Sequence, residues 1–201
     1  MKSLSLASRV CRSWGVVALF GLALLAAGAG CKSGGAAGGP KGFYNRYNIH
    51  VVEQNGRRSR FKASYLNLTE PKAGHRIIPI NTLLVVSRNR GGYFLKLQDD
   101  GSMISFDYDP RAAKMPFDAY IKLITSPEPV PTDQFGEMDL KGIKDGQAAV
   151  GMTRAGVMAA LGYPAAHKTP SLDAKTFTYW KDERRSLMVE FDDQGIVTAV
   201  K

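Results

Sequence analysis

From residue 32 to its end the chain has no cysteine; its 201 residues contain two, Cys11 and Cys31. No disulfide can therefore brace residues 32–201, and any fold there rests on packed cores alone. Histidine is nearly as scarce. His50, His75 and His167 stand far apart, none with a neighbour at metal-ligand spacing, so no metal centre is expected. Also missing are Gly-x-Ser-x-Gly, a phosphate-binding loop and a dinucleotide fingerprint. His167, Ser171 and Asp173 are close along the chain, but closeness in sequence carries no triad geometry. Asp107-Tyr108-Asp109 lacks the spacing of a calcium loop. The expectation is a protein without catalytic residues, cofactor or metal. Acidic residues are outnumbered by basic ones, 18 to 27, for a net charge of +9.

One long apolar run is present, from Trp14 to Gly30, and Lys2, Arg9 and Arg12 precede it. A basic start, a short apolar stretch and a tail of small residues describe an export signal over residues 1–30. Ala29-Gly30-Cys31 resembles the end of a bacterial lipobox, with Gly28 where such sequences usually carry Leu. Under that reading the Cys31 sulfur takes a lipid and tethers the mature chain to a membrane. Cleavage after Ala27-Gly28-Ala29 fits a small-x-small rule equally and gives a soluble secreted or periplasmic protein. Lys32 after Cys31, rather than Asp, resembles lipoproteins sent on to the outer membrane, so the expected location is its periplasmic face. Losing Lys2, Arg9 and Arg12 lowers the net charge to +6. In an envelope compartment this residual charge suits anionic headgroups or cell-wall polymer. No nucleic-acid motif is present, and no nucleic-acid partner is expected.

Composition divides the rest. Residues 31–42 are rich in glycine and alanine and read as a flexible tether. Pro127, Pro129 and Pro131 alternate within residues 126–132, the mark of a stiff linker. The predicted class is α+β. A small all-β, barrel-like domain spans residues 43–125, and a two-helix, three-stranded antiparallel domain spans residues 133–201. In the first, Tyr47, Ile49 and Val51 alternate, Asn55-Gly56 signals a hairpin, and Phe61, Ala63 and Tyr65 alternate on the return. Thr82–Val86, Tyr93–Leu97, Met103–Tyr108 and Ala119–Ile124 complete six expected strands. In the second, Phe135, Met138 and Ile143 suggest a weak helical face. A clearer helix follows, with Thr153 as N-cap, Met152 and Val157 as a staple, and Val157, Met158 and Leu161 as its buried stripe. Gly162 and Pro164 end it. Strands Thr176–Trp180, Leu187–Phe191 and Ile196–Val200 close the chain.

Gly151-Met152-Thr153, Val157, Leu161-Gly162-Tyr163-Pro164, Thr178-Tyr179-Trp180, Val189-Glu190-Phe191-Asp192 and Gly195-Ile196-Val197, in this order, resemble the SmpA/OmlA family. That family includes the small lipoprotein subunit of the outer-membrane β-barrel assembly machinery. The resemblance covers Gly151 to Val200. It implies two helices followed by a three-stranded antiparallel sheet, and a non-enzymatic scaffold that docks on an envelope partner, in outer-membrane assembly or maintenance. Side chains alternate across a strand, so Trp180 is expected to face away from Tyr179. An exposed Trp180 beside Lys181, Arg184 and Arg185 would form an aromatic and basic partner-binding patch. Two other functions fit the same sequence: a β domain that binds cell wall or another ligand, and a secreted inhibitor of an enzyme.

Overall fold

Eleven strands and four helices form among the residues that the computed structural model describes, 42–54, 59–70 and 73–201. The signal segment, Cys31, the tether to residue 41 and the Asn55-Gly56 turn lie outside these residues. The first stretch runs β1 (Phe43–Asn45), β2 (Ile49–Glu53), β3 (Phe61–Ser64), β4 (His75–Ile78), β5 (Leu83–Asn89), β6 (Gly92–Leu97), β7 (Met103–Asp107), α1 (Pro110–Ala113), α2 (Phe117–Ile124) and β8 (Thr125–Ser126). The second runs α3 (Glu137–Asp145), α4 (Arg154–Leu161), β9 (Thr176–Trp180), β10 (Ser186–Phe191) and β11 (Val197–Val200).

The eight strands of the first stretch make one curled sheet, in the order β4-β2-β3-β7-β6-β5-β1-β8. Neighbours are antiparallel except β3 and β7, which run parallel with Lys62 opposite Ser105 and Ser64 opposite Asp107. Alternation puts Val51, Phe61, Ala63, Ile104 and Phe106 on the concave side, all buried. This part is not all-β. Ala119–Ile124, expected as a strand, belongs to α2, because Phe117, Tyr120, Ile121 and Ile124 recur at the helical spacing i, i+3, i+4, i+7 and all four are buried. A strand would have sent Tyr120 and Ile121 to opposite faces. The helix fills the curl with aromatic rings: Tyr93 stacks on Phe117 at 3.7 Å between centroids, and Tyr108 lies 5.0 Å from Tyr120. The Tyr108 hydroxyl donates to the Met115 carbonyl at 2.8 Å.

The second stretch has the expected order of helix, helix and antiparallel sheet, with β10 central between β9 and β11. Phe177, Tyr179, Val189 and Phe191 line the sheet face beneath α4, each at most 4% exposed. Thr153 caps α4, its Oγ1 accepting the Gly156 N–H at 3.0 Å. Met152 and Val157 are both fully buried in the same core. Gly162 follows at φ 92°, ψ 177°, a region that L side chains avoid. Asn67 also packs against it, so a Cβ there would come within 2.7 Å of the Asn67 amide. The face of α3 differs from expectation. Met138 is 45% exposed, and Asp139, Gly142 and Ile143 point inward. Gly142 is a contact point against Met152, not a break in the helix.

The two stretches meet along β2. The Asn48 side chain donates to the Ile143 carbonyl at 2.6 Å and to the Ala160 carbonyl at 3.2 Å. Its own N–H donates to Ala159 O at 2.8 Å. One asparagine thus donates to carbonyls in the last turns of both α3 and α4, where intrahelical donors run out; at Ile143 it adds to the C-cap Gly146 N–H. Residues 126–132 are also fastened, since the Asn81 amide both donates to Val130 O (2.9 Å) and accepts from Val130 N (2.6 Å).

Candidate functional site

The β9–β10 turn carries most of the residues expected at a partner surface. Asp182 builds it. Its Oδ1 accepts the N–H groups of Arg184 and Arg185, both at 2.8 Å, and its Oδ2 accepts Arg185 Nε at 2.7 Å. The Arg184 N–H, then the Arg185 side chain and N–H, hold this carboxyl down to about 2. Arg185 is thereby folded back onto its own turn.

Trp180 does not stand free beside these cations. It is half-buried against the first core, stacks on His167 at 5.3 Å between centroids, and forms a parallel bridge with Leu68. The Thr69 N–H donates to Trp180 O at 2.9 Å and the Glu70 N–H to Lys181 O at 2.7 Å. The outward side of β9, left open by strand alternation, is thus used to join the two stretches. The expected exposure holds for Arg184 and Arg185 but not for Trp180 and Lys181, which are half-buried, and Arg185 is paired with Asp182. Cys31 lies outside the described residues.

Arg184 belongs to a different feature. A cleft of about 560 Å³ opens on the convex side of β2 and β3, with the β9–β10 turn as its far wall. Val52, Leu66 and Leu68 give it apolar surface; Lys62 and Asp107 stand on one side, Glu183 and Arg184 on the other. Lys62 and Asp107 approach to 3.9 Å, with side chains 55% and 63% exposed. Such a pair contributes about 0–1 kcal/mol. Glu183 and Arg184 form no ion pair among the described residues. The charge of the cleft is therefore balanced and only loosely committed. Pattern reading missed it because its residues come from four separate segments. The one available signal was the outward alternation of Lys62 and Ser64 on β3.

His50 closes the back of the cleft. It is 3% exposed, its Nε2 bonds the Ala160 carbonyl at 3.0 Å, and its Nδ1 lies 3.0 Å from His75 Nε2. A carbonyl only accepts, so His50 carries its proton on Nε2 and receives one from His75 at Nδ1. The rings stack at 5.2 Å, 4° from parallel. Burial, above all, lowers His50 to about 4; the Ala160 carbonyl pulls the other way, and His75 lowers it further. Both nitrogens are engaged within the protein, so the ring offers the cleft only its carbon surface.

No group of three or more His, Cys, Asp or Glu side chains converges as metal ligands among the described residues. Ser171 Oγ accepts the Asp173 N–H at 3.1 Å, and His167 is stacked on Trp180, so each is engaged in local structure. Among the described residues no helix is long and apolar enough to cross a membrane. Compared with known protein families, curated proteins and solved structures, the chain matches none.

Proposed function

We propose that this chain is an exported envelope lipoprotein, anchored through Cys31 at the periplasmic face of the outer membrane, that acts as a non-enzymatic scaffold on an envelope protein partner. Its role under this reading is accessory to outer-membrane protein assembly or to maintenance of that membrane. One observation carries the proposal. The segment resembling SmpA/OmlA, Gly151 to Val200, folds as α4, β9, β10 and β11 and is preceded by α3, in keeping with the order that the resemblance implies, with its signature residues in structural roles. Thr153 caps α4, Gly162 takes the positive φ that ends it, and Phe177, Tyr179, Val189 and Phe191 face the helix. The lipobox-like Ala29-Gly30-Cys31 supports the reading independently. Acyl burial contributes about 0.8 kcal/mol per CH₂, so two or more chains hold a protein firmly to a bilayer.

Intact-mass analysis of the chain purified from bacterial membranes tests the anchor. The expected species starts at Cys31 and carries a diacylglyceryl mass, and Cys31→Ser moves the protein to the soluble fraction. An unmodified thiol, or a Cys31→Ser protein that still floats with membranes, overturns it. Crosslinking in intact envelopes tests the scaffold role, with outer-membrane assembly components as the expected neighbours.

A further inference from the structure

We infer that the cleft between β3 and the β9–β10 turn binds a short extended peptide carrying one acidic and one basic side chain on either side of apolar residues. Its volume, about 560 Å³, lies in the range of small-ligand sites, roughly 300–1,000 Å³. The ligand class follows from which charges remain available. Asp182 is consumed by its own turn and Arg185 by Asp182. His50 has both ring nitrogens engaged. That leaves Lys62 and Arg184 as cations and Asp107 and Glu183 as anions, one of each sign on each wall.

A charge-balanced set repels a polyanion as much as it attracts one, which disfavours nucleic acid or an anionic membrane as the occupant. A zwitterionic chain satisfies both walls. The Lys62–Asp107 pair is long and exposed, so a ligand carboxylate and ammonium can replace it at little cost. Between the charges, Val52, Leu66 and Leu68 offer apolar surface for the middle of the peptide. The turn that carries Glu183 and Arg184 is fixed by three hydrogen bonds to Asp182, so the wall is preorganised. The inference stands on the cleft alone and holds whether or not Cys31 is acylated.

Fluorescence anisotropy of the full chain in mild detergent tests it, with fluorescein-labelled, amidated Lys-Val-Leu-Glu as probe and Ser-Val-Leu-Ser as comparison. The charged probe is expected to saturate below about 1 mM and to bind at least tenfold more tightly than the uncharged one. Lys62→Glu with Arg184→Glu is expected to weaken the charged probe at least tenfold. Both side chains are exposed, and an unchanged thermal midpoint verifies the fold. Binding is also expected to weaken as salt rises. No saturation, equal affinity for the two probes, or full affinity in the double variant overturns the inference. Lipidation is read by mass on the same preparation, so failure of the anchor and failure of the cleft are separate results.

Discussion

Asp139 Oδ1 lies 2.0 Å from where a Cβ on Gly156 would stand. The carboxylate is 3% exposed and occupies the notch above the first turn of α4, where its two oxygens accept the Thr153 N–H and hydroxyl, each at 2.8 Å. Thr153 Oγ1 in turn accepts the Gly156 N–H. A buried charge from α3 thus meets the N-terminus of α4, where the helix dipole favours it.

Gly156→Ala is expected to destabilise the protein by about 2 kcal/mol, because overpacking outweighs the gain in helix propensity. Asp139→Ala loses two hydrogen bonds and is expected to cost about 2–3 kcal/mol. The two costs are not additive: with the carboxylate gone, the two closest approaches disappear and only the Cβ of residue 139, at 2.8 Å, still crowds the added methyl. Urea unfolding of the single and double variants is expected to show the double at least about 1 kcal/mol better than the sum. Strict additivity would refute the coupling.

Asn48→Ala removes the side-chain hydrogen bonds to the Ile143 and Ala160 carbonyls and leaves the Ile80 N–H without its acceptor, and is expected to cost about 2–4 kcal/mol. Hydrogen exchange is the discriminating measurement. Protection is expected to fall in the last turns of α3 and α4 together, although the substitution lies in neither helix. Loss confined to β2 would contradict the double-capping role.

Stability is expected to fall on acidification between about pH 6.5 and 4. Folded His50 binds its proton only at about 4, whereas an unfolded histidine binds near 6.5. In that window the unfolded chain holds more protons, so its contribution is complete above pH 6.5 and disappears as pH falls to 4, a loss of roughly 3 kcal/mol. His75, lowered first by burial and raised by Glu70, adds in the same direction. His50→Gln is expected to flatten the slope in pH-dependent urea unfolding; an unchanged slope would exclude His50 as its source.

Arg154→Lys is expected to lower stability by about 1–2 kcal/mol despite conserving charge. The guanidinium lies 4.4 Å from the Phe191 centroid and 5.4 Å from Phe177, and donates to the carbonyls of Leu172 and Ala174. An ammonium cannot combine planar stacking with that fork. A shift in thermal midpoint of Arg154→Lys, absent in Lys168→Arg, is the expected pattern.

What the sequence made legible was local. Alternation marked β2, β3, β6 and β7, and Thr153, Gly162 and the inward face of β9 and β10 were readable from capping rules and a period of two. Phe117 was left outside the window at Ala119–Ile124, which cut a four-residue helical stripe to an ambiguous fragment. The short β1 and β8 carry too few residues for a period to register, and β4, His-Arg-Ile-Ile, does not alternate apolar with polar. Trp180 was misjudged for a different reason. Alternation fixes which side of the sheet it leaves by, but not that Leu68 and His167 wait there. The cleft was invisible for the same cause, since its walls come from residues separated by more than a hundred positions.

The reach of Asn48 also bears on when this protein can finish folding. Its helix partners lie 95 and 112 residues downstream, so Asn48 is synthesised long before the carbonyls it serves. Contacts of such range carry a loop-closure penalty and slow the search. The strands of the curled sheet are all made by Ser126, but its joint with α3 and α4 cannot close until Leu161 has been added, so the two stretches lock together late in synthesis.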